Sequence, residues 1–464
     1  MKYTITFSEK DYDSLIQHLF CDRSTERAAY ALCKLSENED ELRLLIREVI
    51  PVLEDDIEEA TEVGMKIRPR SFLRAMKQAD KTKQLFLFIH SHPEGFTNHS
   101  NQDDREEYEL FKTAFTRIKT KGVHGSLVLS SPDKPKARIW LADGTTKPVD
   151  LIRVIGNKFR FYSDLGNIDP LPTFFDRQIR AFGNDIQKVL KILNIGIVGL
   201  GGTGSSISEQ LIRLGVGTLS IFDGGTFEKT NVNRVYGSKV SDDGQKKVII
   251  AECNSQNIGL QTNVISYDKP ITFSSAIEKL KSCDVIFGCT DDNWGRSILN
   301  RLTVYYYIPV FDMGVKIDSQ EGIIKSIQGR VTTLLGGYAC LFCRERITAK
   351  KIESEMLAEL DPRKLVELQK EGYADELENP APSVIPFTTN IASLAISEFI
   401  HRLTGYMGAD RETNEIIMKF DETKISRNNR ISKEDCFCGD KYYLLRGDTN
   451  PLLDLTWRNE DDTH

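Results

Sequence analysis

The stretch that most limits the fold of this 464-residue chain is Gly199-Leu200-Gly201-Gly202-Thr203-Gly204, set between an apolar run and a helical one. Asn194 to Leu200 reads as a buried strand, and Ser205 to Gly215 repeats apolar residues at helical spacing. Thr218 to Asp223 is strand-like again. Strand, glycine turn, helix and strand in that order make a βαβ unit, which demands a parallel sheet and a right-handed crossover. Strand signals at 262–267 and 284–291, with a helical pattern over 175–193, extend the same α/β architecture.

A second α/β block precedes it. Strand-like residues 85–90 lead through a polar loop to helix-like 106–118, then to strand-like 124–130 and 137–143. The expected organisation is an N-terminal domain over 1–150, a linker over 151–172, a second domain over 173–446 and a solvated tail over 447–464. Residues 344–380 are rich in charge and read as exposed helix and flexible loop. No apolar run approaches the roughly 20 residues of a membrane helix, and the start lacks the apolar stretch of a signal peptide. A cytoplasmic protein without a membrane partner is therefore expected. A net charge of −7, with both signs interspersed, argues against a nucleic-acid partner.

Three of the seven histidines, His90, His92 and His99, fall within ten residues. His90 and His92 end a strand, where alternate residues point the same way, so two imidazoles can face one zinc ion. Asp103, near a helix start, can supply a third ligand and leave the fourth position to water, as in hydrolytic zinc sites. With Ser100 eight residues after His92 and Asp103 three further on, the pattern resembles the motif of the JAMM (MPN-type) metalloproteases. That family includes deubiquitinases and prokaryotic relatives acting on ubiquitin-like proteins. The resemblance implies a JAB/MPN-like fold, a catalytic zinc on His90, His92 and Asp103, and an oxyanion-steadying Ser100. It also implies an upstream glutamate as general acid/base, which the segment from Thr25 to Cys33 places on Glu26. His99 matches no position of the motif and reads as a surface histidine.

The glycine cluster by itself suits a dinucleotide, since bare amides at a helix N-terminus hold phosphate. Asp223, 19 residues after Gly204, suits a ribose hydroxyl. The residues beyond Asp223 point to ATP instead. Asn231 and Arg234 lie eight and eleven residues after Asp223, Lys246 and Lys247 come next, and Asp291 and Asp292 end a later strand. An arginine and a lysine fit the β/γ-phosphates and a carboxylate fits magnesium; hydride transfer needs neither. From about Phe174 to Gly439 the constellation resembles the adenylating domain of ubiquitin-activating enzymes and their bacterial ThiF/MoeB relatives, a Rossmann-like fold. The resemblance implies a nucleotide site of Gly199, Gly201, Gly202, Gly204 and Asn231, with Asp223 on the ribose. It assigns the phosphates to Arg234 and Lys247, magnesium to Asp291, and nucleotide contact to Arg177, sometimes across a dimer interface. Lys246 is the alternative to Lys247. The family's second acid, two residues after the ribose aspartate, is Gly225 here, which leaves magnesium to Asp291 with Asp292.

Cys340, Cys343, Cys436 and Cys438 are the close-spaced cysteines of the nine. Four thiolates bind a structural zinc closed to water and tie a distant segment onto the domain. Ubiquitin-activating enzymes also carry a thioester-forming cysteine, expected between these pairs, yet none occurs from Arg344 to Asp435. Either the acyl-adenylate passes directly to a partner or a hydroxyl on a mobile segment, such as Ser354, serves. The resulting expectation is a two-headed enzyme of a prokaryotic ubiquitin-like modification pathway. Its zinc head would cleave after the C-terminal glycine of a ubiquitin-like protein; its second head would adenylate that terminus with ATP and Mg2+. A ubiquitin-conjugating-type carrier and a homodimer are the implied partners. The alternatives are sulfur-carrier activation for thiamine- or molybdopterin-like cofactor synthesis, and a catalytically reduced nucleotide-binding scaffold, the last suggested by Gly225.

Overall fold

The computed structural model describes residues 1–22, 25–61, 64–163, 171–371, 382–408, 411 and 413–458. The chain divides into two units: Met1–Gly166 with Leu445–Asp448, and Asn167–Leu444 with Thr449–His464.

The first unit is built on a nine-stranded mixed sheet. Its order is Arg160–Tyr162, Leu151–Ile155, Lys2–Ser8, Glu41–Pro51, Ala28–Glu37, Leu85–Ser91, His124–Leu129, Pro135–Trp140 and Thr146–Pro148. Side chains alternate along Leu85–Ser91. Leu85, Leu87 and Ile89 enter a core with Tyr12 and Leu15 of the helix Glu9–Leu19. Phe86 and Phe88 join Tyr30, Phe111 and Trp140 on the other face, under the helices Pro69–Thr82 and Asn101–Arg117. Because both faces are covered, the strand reads as an apolar run rather than an alternation. His90 shares the second face, which aims it at the helix Asn101–Arg117.

Two boundaries differ from the sequence expectation. The stretch 151–172, expected as a linker, supplies two strands: all five residues of Leu151–Ile155 are buried and pair in parallel with Lys2–Ser8. A short strand buried on both faces carries no period to find. The segment 447–464, expected as a solvated tail, is docked where it is described. The Asp448 amide donates to the Leu35 carbonyl at 2.9 Å, and Asp448 Oδ2 accepts from the Glu37 amide at 2.8 Å. Leu453 is fully buried, and its carbonyl accepts from Arg301 Nη1 at 2.9 Å. The charged end of the segment dominates its composition and masks Pro451-Leu452-Leu453, which docks.

The second unit holds an eight-stranded sheet: Asn263–Tyr267, Thr218–Phe222, Asn194–Val198, Val285–Gly288, Val310–Gln320, Ile323–Leu334, Glu415–Lys419 and Lys424–Asn428. The first five are parallel and the rest antiparallel. The expected βαβ unit is Asn194–Val198, the helix Gly202–Leu214 and Thr218–Phe222. The helix Ile385–Thr404 packs against Gly202–Leu214 and the strands beside it. In the charge-rich stretch, Thr348 caps the helix Ala349–Leu360, and Asp361 caps Pro362–Lys370 with proline at the first helical position; residues 372–381 lie outside the described residues. No helix among the described residues is long and apolar enough to cross a membrane.

Candidate active sites

In the first unit, three ligating side chains converge where the strand Leu85–Ser91 ends. His90 Nε2 lies 3.0 Å from His92 Nε2 and 3.1 Å from Asp103 Oδ1, and His92 Nε2 lies 3.3 Å from Asp103 Oδ2. Donors about 2.0–2.1 Å from a tetrahedral zinc stand roughly 3.3 Å apart, so the set fits that ion. His92 is turned by its Nδ1, which lies 3.1 Å from the Phe96 carbonyl and fixes Nε2 toward the cluster. Asp103 is placed by a capping box: its amide donates to Ser100 Oγ at 3.1 Å, and its Oδ2 accepts from the Ser100 amide at 2.5 Å. Burial works to raise the Asp103 carboxyl. Hydrogen bonds from both imidazoles and the Ser100 amide outweigh it and hold the group well below the usual carboxylate range.

Glu26 reaches this cluster through strand register. Ala28 opposes His90 across the antiparallel pair, and the Arg27 amide donates to Ser91 Oγ at 2.9 Å while the Ser91 amide donates to the Arg27 carbonyl at 2.9 Å. Continuing that register sets Glu26 beside His92. Burial raises its carboxyl above the ordinary value, and the neighbouring imidazoles only partly counter this. Glu26, His90, His92 and Asp103 line one cavity of about 1140 Å³, whose lining also includes apolar Met65, Phe72, Phe88 and Phe96 among charged residues such as Lys66 and Arg105. The Ser100 hydroxyl is engaged in the capping box at the cavity rim.

His99, expected at the surface, is instead nearly buried, 3.2 Å from Ser126 Oγ and 3.8 Å from Glu107 Oε1. Burial pushes it down to about 2, so it stays neutral. Glu107, one turn beyond Asp103 on the same helix, has no place in the sequence motif yet serves the site. Its Oε2 accepts from Ser126 Oγ, Arg138 and Trp140 Nε1, pinning the ligand-bearing helix to the sheet. Its signal is the i,i+4 spacing that sets it between Asp103 and the buried Phe111 on one helix face.

In the second unit the glycine loop forms an open cradle. Gly199 has φ +88°, and a Cβ there would stand 3.0 Å from the Cys289 carbonyl group. Around Gly201, by contrast, a Cβ would meet nothing within 4 Å, and no side chain caps the helix Gly202–Leu214 beyond it. The space beside Gly201, at the helix N-terminus, is thus open, the condition for holding phosphate. Asp223 closes the loop from the next strand, accepting from the Leu200 amide at 2.6 Å and the Gly225 amide at 2.7 Å. Arg234 packs beside Gly202 and donates from Nη1 to the Thr230 carbonyl at 2.7 Å; Asn231 lies in the same turn, nearly buried.

The two adjacent lysines separate. Lys246 Nζ pairs with Asp268 Oδ1 at 3.2 Å, whereas Lys247 turns inward, its Nζ 3.1 Å from where a Gly225 Cβ would be. That same Cβ would stand 2.9 Å from Asp223 Oδ1, so a side chain at 225 crowds both groups. The adjacent acids separate too. Asp292 caps the helix Asn293–Tyr306, accepting from the Gly295 amide and from Thr290 Oγ1, while Asp291 is exposed. Arg177 is exposed on the short helix Asp176–Phe182.

The four close-spaced cysteines come together. Cys340 Sγ lies 3.5 Å from Cys436 Sγ and 3.9 Å from Cys343 Sγ, with Cys343 and Cys438 3.6 Å apart. Four sulfurs about 2.3 Å from a tetrahedral zinc stand roughly 3.8 Å apart, and this set fits. All four ligating atoms lie within 4.8 Å of one another.

A profile described as the ThiF family matches residues 175–439, more than half of the chain. The chain belongs to the ThiF family. Among its relatives, "Adenylyltransferase and sulfurtransferase UBA4" of Meyerozyma guilliermondii is 28% identical over 144 residues, 31% of this chain and 34% of that one. "Ubiquitin-like modifier-activating enzyme 5" of Dictyostelium discoideum is 29% identical over 166 residues, 33% and 42% of the two chains. "Sulfur carrier protein adenylyltransferase" of Thermus thermophilus is 26% identical over 163 residues, 34% and 59%. The matches thus span between 34% and 59% of these relatives' own lengths. The ThiF match contains the glycine cradle, Asp223, Asn231, Arg234, Lys247, Asp291 and all four zinc-pair cysteines, and its first residue is two before Arg177.

Within this ThiF unit Ser354 does not have the expected setting. It lies inside the helix Ala349–Leu360, 2% exposed, with its hydroxyl donating to the Lys350 carbonyl at 3.0 Å. A serine bonded back to its own helix offers no free nucleophile.

Proposed function

We propose that the chain uses ATP to adenylate the C-terminal carboxylate of a small carrier or modifier protein. What carries this reading is the ThiF match lying over an open phosphate cradle with an inward-turned lysine. The glycine-loop amides, Arg234 and Lys247 hold the triphosphate, Asn231 lines the same pocket, and Asp223 holds the ribose. Asp291 would hold magnesium, which neutralises phosphate charge when bound; Arg177, exposed on its short helix, is the remaining residue assigned to the nucleotide. In the reaction a carboxylate oxygen attacks the α-phosphorus, the bond to the β-phosphate oxygen breaks, and pyrophosphate leaves. No cysteine between the zinc pairs can take the acyl group, so the adenylate is the species handed on.

The relatives' names favour a sulfur-carrier protein as the acceptor to test first, ahead of the modification pathway read from the sequence. ATP–pyrophosphate exchange with a panel of such carriers and of ubiquitin-like proteins, each with a C-terminal glycine, decides between them. Exchange with none of them, despite ATP binding, would move the chain to the scaffold reading.

The first unit supports a second head. His90, His92 and Asp103 would hold a zinc ion, which when bound polarises a peptide carbonyl. Glu26, with a carboxyl raised by burial, accepts and returns a proton in the cavity, and the apolar part of its lining binds an extended chain end. This head would cleave after the carrier's terminal glycine, exposing the carboxylate that the other head uses. Zinc analysis of the purified chain, with hydrolysis of a carrier bearing a C-terminal extension, tests it. A chain that holds no metal at His90 and His92, or holds it without cleaving, loses this head.

A further inference from the structure

At the carboxyl edge of the ThiF sheet, four guanidinium groups meet two buried carboxylates. Asp312 lies 3.2 Å from Arg296 Nε and 2.6 Å from Arg330 Nη1. Glu415 lies 3.5 Å from Arg344 Nη1 and 3.2 Å from Arg346 Nη2. Register sets these acids on one face, since Asp312 opposes Thr332 and Thr332 opposes Glu415, with Arg330 two residues before Thr332. Both acids are fully buried, while Arg296 and Arg330 are only 15% and 12% exposed. The cluster therefore carries positive charge in excess of its acids, and of the four arginines only Arg346, 35% exposed, reaches well toward water. An uncompensated buried charge is costly, so a purely structural cluster is expected to neutralise itself.

The hydrogen-bonding geometry is also incomplete. Both Asp312 oxygens and Arg296 Nε are buried without an aligned partner, although the charges lie within ion-pair reach. Gly314 then marks where a ligand fits. A Cβ there would stand 3.5 Å from Arg330 Nη2 and 3.6 Å from Arg296 Nη2, and beyond the chain neighbours of Gly314 no other atom would lie within 4 Å; Arg296 Nη2 also donates to the Met313 carbonyl at 3.2 Å. The space above Gly314 is thus flanked by two guanidinium ends. It also adjoins the nucleotide cradle. Asp312 pairs with Gly288, whose strand runs on into Cys289-Thr290-Asp291, and Arg296 sits in the first turn of the next helix.

We propose that Arg296 and Arg330, set apart by Asp312 over Gly314, form the receptor for the terminal carboxylate of the acceptor protein. The inference rests on the adenylation reading, which needs that carboxylate held beside ATP. Two planar guanidinium ends suit a carboxylate better than a single ammonium does. The bound anion offsets part of the excess charge, and the missing side chain at 314 leaves clearance for a glycine-ended tail.

The test uses the full chain saturated with a non-hydrolysable ATP analogue. The probes are a synthetic hexapeptide ending in Gly-Gly as the free acid and as the C-terminal amide, titrated by calorimetry. The acid should bind at least about tenfold more tightly than the amide, and Arg330→Gln or Arg296→Gln should erase that preference. Arg330→Lys, which keeps the charge without the fork, should also weaken the acid and covers a glutamine variant that does not fold. Equal binding of acid and amide, no binding of the acid at millimolar concentration, or variants that bind it as the parent does would each overturn the assignment. Failure of the parent chain to bind the analogue is a separate result and counts against the adenylation reading itself.

Discussion

The two metal-fitting clusters of this chain are built from opposite materials. In the first unit, three donors lie at the mouth of a large cavity, beside a half-buried glutamate, and one tetrahedral position is left for a reactant. In the ThiF unit, four thiol sulfurs gather within 4.8 Å of one another, with the Lys433 amide donating to Cys343 Sγ at 3.3 Å, and bring residues 340–343 to 436–438. The open set spends its geometry on reactivity: Asp103 and His92 are each held by a second bond, and Glu26 is brought in by register. The closed set uses its geometry to cross-link the chain. On the proposed reading, a metal ion would serve turnover in one place and folding free energy in the other.

The largest effect should come from breaking the closed cluster. Cys340→Ser should cost the ThiF unit on the order of 5 kcal/mol or more, since structural zinc contributes ~10 kcal/mol or more in zinc-finger peptides. Zinc content and a guanidinium unfolding curve measure it, and a variant that unfolds like the parent would remove the cross-link from the account. Next is the open cluster. Glu26→Gln should slow cleavage of an extended carrier about 10²–10⁴-fold while the metal content stays at the parent level. Loss of metal along with activity would make Glu26 a ligand rather than a proton carrier. His92→Ala should do the reverse, losing metal as well as turnover with little change in the unfolding midpoint.

How much of this is legible in the sequence depends on which interactions are local. The glycine loop, its strand and its helix adjoin in the chain, so period and turn chemistry alone place them. The ligand spacing from His90 to Asp103 is equally local, because one strand end and one helix cap carry it. The expected linker is wrong because Leu151–Ile155 is stabilised by pairing with Lys2–Ser8 at the other end of the unit, a contact with no local signature. His99 departs from its expected surface position for the same reason: Ser126 and Glu107 bury it from another strand and a helix. Which lysine turns inward is also beyond the sequence, since a single residue's rotation about the start of the helix Lys247–Ile258 decides it.

Acid offers a milder way to weaken the unit that carries the open cluster. His124 is 1% exposed on His124–Leu129, its Nδ1 accepting from the Phe86 amide at 3.2 Å, and burial lowers it from 6.5 to about 4. The unfolded chain takes up this proton first, so the neutral-form stability is whole above pH 6.5. It falls as pH drops through the window and stops falling below about 4. The loss across that window should be ~3 kcal/mol from this group, read as a falling urea midpoint between pH 7 and 4. A midpoint independent of pH over that range would mean that His124 is reached by water.

The smallest expected effect tests the inward turn of one lysine against its neighbour. Lys246 is 45% exposed and paired with the equally exposed Asp268, an arrangement that contributes about 0–1 kcal/mol and has no reason to touch a nucleotide. Lys247 Nζ stands instead beside Gly225 and Asp223, whose carboxylate accepts from the loop's Leu200 amide. Lys247→Ala should weaken binding of an ATP analogue about tenfold, or ~1.4 kcal/mol, and Lys246→Ala should change it by less than about twofold. Adding salt should shrink the first difference and abolish any trace of the second, because only the exposed pair is fully screened. If the two alanine variants bind alike, the two side chains exchange places in solution, and the pocket has no single phosphate lysine.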